Sequence, residues 1–313
     1  MPDLLGFTRS LHPIADAPYP TRTGKKKSVL IFARASLFFS VCCRLVKAKD
    51  ESLSSIETSP RILVAIPARN EAGRIGGVIR SIHRILPAVD IAVVNDDSRD
   101  TTAREAAEAG AFVLPLATNL GYGAALETAY LFARDRKYDV VMQMDGDGQH
   151  LAEELPRLLA PILAGEADLV LGSRFMPKSG PFPTSPLRRC GQILFAGILR
   201  LCTGRTFTDP TSGFQALGGR TLCLFSSGVF PCDYPDADVI LMAHLAGLRI
   251  REVAVTMRAR EGGASMHAGW KPLYYGLKML LSIFIVILNY PTWRKWRRDW
   301  VPQPLSITGS PKP

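Results

Sequence analysis

The chain is predicted to be an α/β protein with a largely parallel sheet covered by helices on both faces. Two observations predict it. From Arg61 onward, short apolar runs rich in Val and Ile alternate with helix-length segments, the pattern of parallel strands joined by helical crossovers. A polar cluster follows several of these runs, and in open sheets of this kind ligands bind beyond the carboxyl ends of the strands. The expected strands are Ile62–Ile66, Ile91–Val94, Phe112–Leu116, Val140–Met144 and Asp168–Leu171. The expected helices are Arg74–Ile85, Thr101–Ala109, Gly121–Arg136 and Glu153–Leu163.

Composition sets the limits. Of 313 residues, 47% are hydrophobic, ample for a real core, and 38 basic against 28 acidic residues leave a net charge of +10. That balance favours anionic partners such as phosphate-bearing substrates or acidic lipids. A nucleic-acid partner is not expected, because no recognised binding module accompanies the charge. Cys42, Cys43, Cys190, Cys202, Cys223 and Cys232 include no CxxC pair, which argues against a zinc site or disulfide framework and for a reducing compartment. Residues 1–59 read as a partly disordered extension: Met1–Thr23 lacks periodicity, and Val29–Val46, broken by Arg34 and Arg44, suits an amphipathic helix. Residues 60–268 form the expected catalytic domain, 269–300 a membrane-associated helix with a basic aromatic tail, and 301–313 a disordered tail.

The chemistry lies at the strand ends. The first strand runs into Pro67-Ala68-Arg69-Asn70-Glu71, where proline, lacking an N–H, is expected to end the ladder. The second ends in Asn95-Asp96-Asp97-Ser98-Arg99-Asp100, in which Asp100 serves equally well as a helix cap. Asn119-Leu120-Gly121-Tyr122-Gly123-Ala124-Ala125 falls short of a dinucleotide fingerprint and reads as a helix start beneath a nucleotide site. The sharpest signal follows the fourth strand: Asp145-Gly146-Asp147-Gly148-Gln149-His150. Two carboxylates separated by one glycine repel each other and call for a cation, and hard oxygen donors suit Mg²⁺ or Mn²⁺, which completes its shell with water and substrate phosphates. Gly172-Ser173-Arg174-Phe175 then places a positive charge at the fifth strand's end. Asp209-Pro210-Thr211-Ser212-Gly213-Phe214, Tyr234-Pro235-Asp236-Ala237-Asp238 and Arg258-Ala259-Arg260-Glu261-Gly262-Gly263-Ala264-Ser265 follow. Arginines beside a glycine pair suit bidentate contacts to a diphosphate.

Taken in order from Arg61 to His267, these segments resemble family 2 glycosyltransferases, in particular the dolichol-phosphate mannose synthase-like branch. The resemblance implies the A-type glycosyltransferase fold and an inverting transfer from a nucleotide-diphosphate sugar to a polyprenyl-phosphate-type lipid. It implies that Asp96 holds the nucleotide base, and that Asp145, Asp147 and Gln149 bind the metal with the donor diphosphate. Arg174 and Arg260 fall where family arginines approach phosphates, and Asp209 and Asp238 line the acceptor side. Candidate donor-binding residues are thus Pro67, Ala68, Asn70, Glu71, Asp96, Asn119, Gly123, Asp145, Arg174, Arg260 and Ser265. Candidate catalytic residues are Asp147, Arg174, Asp209 and Asp238. Two departures stand out: Asn95 occupies a position where the family more often has Asp, and Met266 replaces a common lysine. A sugar hydroxyl as acceptor would need a general base, for which Asp238 or Asp209 is the candidate. A catalytically silent scaffold is disfavoured by the intact Asp145/Asp147 pair.

The C-terminal run Leu273–Leu288 is nearly all apolar. As a helix it would span about 24 Å at ~1.5 Å per residue, short of a hydrocarbon core of about 30 Å. Lys278, Ser282 and Asn289 form a narrow polar stripe, and Trp293-Arg294-Lys295-Trp296-Arg297-Arg298-Asp299-Trp300 alternates basic with aromatic residues. The expectation is a helix lying in the cytoplasmic leaflet of a membrane with its tryptophans at the interface, the competing reading being a terminal helix packed on the domain. Localisation at the cytoplasmic face follows, since nucleotide sugars are cytosolic.

Overall fold

The computed structural model describes residues 59–231, 233, 235–258 and 271–299. The expected N-terminal extension with Val29–Val46, the segment holding Arg260, Ser265, Met266 and His267, Tyr234, Trp300 and the 301–313 tail lie outside the described residues. Within them the chain runs β1 (Ile62–Ala68), α1 (Ile75–Ile85), β2 (Asp90–Asn95), α2 (Thr102–Glu108), β3 (Phe112–Pro115), α3 (Tyr122–Asp135) and β4 (Val140–Gln143). A short 3₁₀ turn, Ala152–Glu154, leads into α4 (Leu155–Leu163), followed by β5 (Leu169–Ser173), α5 (Pro186–Thr203), β6 (Gln215–Gly218), α6 (Gly219–Phe225), α7 (Ala237–Leu245) and β7 (Ile250–Ala254). Two further helices, α8 (Lys271–Leu288) and α9 (Tyr290–Asp299), end the described chain. Every strand and helix expected before Leu171 is present, its ends within two residues of the expectation.

The strands form one mixed sheet of order β3-β2-β1-β4-β6-β5-β7. β1 pairs in parallel with β2 and β4, β2 with β3, and β5 with β7, whereas β6 runs antiparallel between β4 and β5. That reversal brings the start of β6 to the same rim as the ends of β1, β2, β4 and β5, with Gln143 opposite Gln215. The Asp209–Phe214 motif therefore reaches the rim from the opposite chain direction. Pro67 does not end β1 as expected: the strand continues to Ala68, with Pro67 beside Val94. The β4 ladder stops at Ala65, so the proline sits where β1 has one neighbouring strand, and a missing N–H is tolerated there.

Helix α1 shows why the crossovers read clearly. Ile75, Val78, Ile79 and Ile82 are buried at helical spacing against Val64, Ile66, Val93 and Met142, each apolar side chain contributing ~1.5–3 kcal/mol. Helix α7 is different: Ala237 through Ala243 are all buried, so it carries no amphipathic period to read. Asp168, expected to open β5, instead binds Arg249 and Arg220 at the opposite end of the sheet.

The C-terminal helices dock on this domain. Met279, Ile283 and Val286 of α8 are buried at 2%, 4% and 6% exposure, while Leu277, Leu281, Phe284 and Leu288 on the other face are 55–62% exposed. The two tryptophans of α9 turn inward: Trp293 is 5% exposed and donates its indole N–H to the Val286 carbonyl at 2.7 Å, and Trp296 lies beneath the Arg220 guanidinium. This corrects the expectation that both sit at a membrane interface, since both rings are buried and the Trp293 indole N–H finds its acceptor inside the protein. No single described helix is long and apolar enough to cross a membrane; α8 and α9 together pass such a test by length and composition but meet at a 57° bend. A Trp293→Ala variant is expected to lose about 3–5 kcal/mol of stability, and Leu281→Ala less than about 0.5 kcal/mol. Equal effects in urea unfolding would show that α9 is not seated on the domain.

Candidate active site

At the β1–β2 rim the expected donor residues are knitted into one another. Asn70 adopts a left-handed φ of 55°, its N–H donates to the Ser98 hydroxyl at 3.0 Å, and its side-chain oxygen accepts the Arg99 N–H at 2.9 Å. The Glu71 N–H donates to the Thr102 hydroxyl at 2.8 Å, and its carboxylate pairs with Arg74. Asp100 accepts the N–H groups of Ala72 and Thr102, the capping role that sequence allowed it. Asp97 at φ 56° is the second non-glycine left-handed residue here; Asn and Asp tolerate that region, and its strain concentrates at functional sites. Pro67 and Ala68 are buried strand residues.

Asp96, 5% exposed, faces the β3–α3 loop. One carboxylate oxygen accepts the Leu120 N–H at 2.7 Å, and the other accepts the Gly121 N–H at 3.1 Å and the Asn119 side-chain amide. Asp96 and Asn119 are thus joined, and together they hold the entry to α3. Gly123, in the first turn of that helix, donates its otherwise unpaired N–H to the Asp233 carbonyl at 3.1 Å.

The loop after β4 holds the expected metal pair. Asp145 accepts the Tyr122 phenol at 2.8 Å, and its own N–H donates to His150 Nδ1 at 2.9 Å. Burial lowers the His150 imidazole below its ordinary pKa, and with Nδ1 accepting, its remaining proton lies on Nε2, 3.7 Å from the Asp145 carboxylate. The ring stacks on Phe214 with centroids 4.7 Å apart. Burial raises the Asp145 carboxyl above its ordinary range, and the Asp147 charge pushes the same way. Asp147 accepts both the backbone N–H of Gln149, at 3.0 Å, and its side-chain amide, so Gln149 orients Asp147 whatever else it ligates. Glycine serves this loop in two ways. Gly148 has φ +80°, and a Cβ at Gly146 would press on Ile75 at 3.2 Å. Gly146 thus meets a packing need and Gly148 a conformational one. Two carboxylates, one raised by burial and by its partner's charge, fit a divalent cation that draws its other ligands from phosphate and water.

Beyond β5, Arg174 and Asp209 form a buried bidentate pair: Nε and Nη2 donate to the two Asp209 oxygens at 2.6 and 2.7 Å, and the Arg174 backbone N–H adds a third bond at 3.1 Å. Burial opposes the guanidinium charge, but Asp209 more than offsets it, so Arg174 titrates above its ordinary value. Asp209 is 0% exposed with both oxygens engaged, and the Arg174 guanidinium is turned onto it. Asp238 is likewise 0% exposed and accepts the N–H groups of Asp236 and Val239 and the Ser282 hydroxyl. Arg260 and Ser265 lie outside the described residues. The chain enters their segment beside the metal loop: Met257 bridges His150, and the Arg258 N–H donates to the Gln149 carbonyl at 2.8 Å.

Tyr122, His150, Gly213 and Asp236 gained no role from sequence; the only hint was their place inside quoted motifs. Gly213 shows why. A Cβ there would stand 2.8 Å from the Tyr122 hydroxyl and 3.7 Å from the Asp145 carboxylate, a contact made by residues about 90 and 70 positions apart in the chain. Gly213→Ala is expected to cost about 1–3 kcal/mol by overpacking. In Gly213→Ala/Tyr122→Phe the obstructing hydroxyl is gone, so the double variant should lose less than the sum of the two single losses. Additive losses in urea unfolding would remove this contact from the site's design.

Comparison with known proteins follows this geometry. Residues 63–219 match the glycosyl transferase family 2 domain. The undecaprenyl-phosphate mannosyltransferase of Micrococcus luteus is 34% identical over 220 residues, covering 67% of this chain and 88% of the relative. The polyprenol monophosphomannose synthase of Mycolicibacterium smegmatis is 32% identical over 228 residues, covering 70% and 85%. Among solved structures, the glucosyl-3-phosphoglycerate synthase of Mycobacterium tuberculosis in complex with Mn²⁺ and uridine-diphosphate-glucose superposes with a TM-score of 0.57 at 24% identity, covering 72% of this chain and 80% of that one. By the span of the matching domain and by its relatives, the chain belongs to glycosyl transferase family 2.

Proposed function

We propose that the protein transfers a sugar from a nucleotide-diphosphate sugar to a polyprenyl phosphate, by direct displacement with inversion, at the cytoplasmic face of a membrane. The observation that favours a phosphate acceptor is that Asp209 and Asp238, the two acids the sequence offers as bases for a sugar hydroxyl, are both fully buried and both engaged by donors. A sugar hydroxyl must lose a proton as it attacks and needs a free base. A lipid phosphate is already anionic and does not. The relatives from Micrococcus luteus and Mycolicibacterium smegmatis, a mannosyltransferase to undecaprenyl phosphate and a polyprenol monophosphomannose synthase, support the same acceptor class.

Asp145 and Asp147 would hold a Mg²⁺ or Mn²⁺ ion, which when bound supplies positive charge to the departing diphosphate. Tyr122 and Gln149 hold the two carboxylates in place. Asp96 and Asn119 set the loop on which the nucleotide base rests, with Asn70 and Glu71 bracing the adjacent strand end. Arg260 and Ser265, outside the described residues, would serve as the phosphate contacts that the family resemblance assigns them. Arg174 contributes by fixing Asp209 and the loop that packs Gly213 against Tyr122.

Membrane contact falls to the outer face of α8, with Leu277, Leu281, Phe284 and Leu288 exposed, and to Arg294, Lys295 and Arg298 of α9. Apolar burial in the interface and attraction to anionic headgroups, ~1 kcal/mol per basic residue, act together. Arg297 is held apart from this set because its side chain runs over Gly247. Arg294, Lys295 and Arg298 changed together to Gln should weaken flotation with anionic vesicles, and salt should mask the difference. Loss that is equal on neutral vesicles would refute the electrostatic part. For the reaction, nucleotide sugars offered with a polyprenyl phosphate and Mn²⁺ should yield a glycosylated lipid phosphate by mass spectrometry. Chelator, or Asp147→Ala in a protein that still melts cooperatively, should abolish it. Transfer to a sugar hydroxyl in its place would overturn the acceptor assignment.

A further inference from the structure

A buried row of polar side chains runs from the core to the metal loop. Gln143, the last residue of β4, is 2% exposed. Its Oε1 accepts the Tyr130 hydroxyl of α3 at 2.6 Å, and its Nε2 donates to the Tyr122 hydroxyl at 3.1 Å. Tyr122 in turn donates to Asp145 Oδ1 at 2.8 Å. The direction of this row is fixed at its far end. Tyr130 is 0% exposed, with its ring edge-on to Phe230, centroids 5.2 Å apart, and tilted against Phe225. Among the described residues, Gln143 is the one hydrogen-bond partner of its hydroxyl. A phenol carries a single proton, and a buried O–H without an acceptor is costly. The Tyr130 proton therefore goes to Gln143 Oε1, which turns the amide nitrogen toward Tyr122. With that nitrogen donating to its oxygen, Tyr122 has its own proton left for Asp145.

We propose that Tyr130 is a positioning residue for the cation site: acting through Gln143, it commits the Tyr122 proton to Asp145 and so sets the carboxylate that takes the divalent ion. The assignment rests on the reading of Asp145 and Asp147 as the ligands of that ion. In the opposite orientation of Gln143, its Oε1 would face the Tyr122 hydroxyl and compete with Asp145 for the one proton. The hydroxyl of Tyr130 excludes that orientation, because its own proton would then have no acceptor. A hydrogen bond to an ionised carboxylate is of the stronger kind, and groups that orient a metal's ligands help to set its affinity. Gly213 leaves room for the row, since a Cβ there would stand 2.8 Å from the Tyr122 hydroxyl and 3.6 Å from Gln143 Nε2. Asp147 is held from within its own loop by Gln149, whereas Asp145 is held from the core by residues of β4 and α3. The ring of Tyr130 would pack equally well without its hydroxyl, so packing alone does not account for the phenol.

The test uses the full chain in detergent, with Mn²⁺ binding read by electron paramagnetic resonance and folding by urea unfolding. Tyr122→Phe removes the bond to Asp145 and should weaken Mn²⁺ binding about tenfold, the lower end of what orienting partners of metal ligands contribute. Tyr130→Phe keeps the ring but frees the amide to turn. With the competent orientation only half populated, affinity should fall about twofold or more, up to the loss in Tyr122→Phe. Tyr130→Phe added to Tyr122→Phe should cost no further affinity, because Tyr130 reaches Asp145 only through Tyr122. A carbon-13 label at the tyrosine Cζ reads the row without metal. The Tyr122 resonance, identified by its loss in Tyr122→Phe, should move in Asp145→Asn and also in Tyr130→Phe. A Tyr130→Phe protein that is less stable yet binds Mn²⁺ as the wild type does overturns the proposal, as does a further loss of affinity in the double variant. Wild-type protein that binds no Mn²⁺, or binds it equally well after Asp147→Ala, counts instead against the reading of the two acids as ligands. The Tyr122 resonance then still decides the role of Tyr130, and one unmoved by Tyr130→Phe removes it.

Discussion

Too many carboxylates share one rim of the sheet, and the surrounding structure is arranged to neutralise them. Asp96, Asp145 and Asp147 follow strand ends, Asp209 lies on the segment leading into β6, Asp236 precedes α7 and Asp238 lies in its first turn. Each would be costly if buried without a partner. The fold meets the problem acid by acid. Asp96 receives backbone N–H groups from the α3 entry, Asp209 receives Arg174, and Asp238 receives backbone N–H groups and Ser282. The Asp145 carboxylate receives the Tyr122 phenol, while its backbone N–H donates to the His150 imidazole.

The C-terminal helix reconciles two demands that first looked exclusive. One side of the helix packs on the domain, and the other leaves apolar side chains exposed. Met279, Ile283 and Val286 supply the docking face, Tyr275, Lys278 and Ser282 bind the acid turn, and Leu277, Leu281, Phe284 and Leu288 remain outside. Cutting the chain after His267 would therefore strip the partners from Asp233, Asp236 and Asp238 and uncover the apolar surface of α7. An anchor that could be removed without cost to the site is not what the packing provides.

Legibility in the sequence followed physical cause. Strands β1 to β5 and helices α1 to α4 were readable because a central strand buries both faces and an amphipathic helix buries one, so each leaves its own period in the chain. Helix α7, buried all round, and β6, four residues long and antiparallel, leave none. Among site residues, Asp145 and Asp147 stand out in the sequence because a glycine-spaced pair after an apolar strand has few structural uses. The pairing of Arg174 with Asp209 and of Ser282 with Asp238 was not legible, since a buried arginine seeking a phosphate and one paired to a carboxylate look alike in sequence.

What the sequence determined by itself was thus the succession of strands and crossovers and the rim at which the polar motifs gather, both carried by local pattern and by the rule that parallel sheets place sites at their carboxyl ends. The tertiary structure alone decided which acids are free. Pairings such as Arg174 with Asp209, Tyr275 with Asp236, Ser282 with Asp238 and Gly213 against Tyr122 join residues 35, 39, 44 and some 90 positions apart. The energy of a buried charge depends on what stands within a hydrogen bond of it, and only the folded chain brings those partners there.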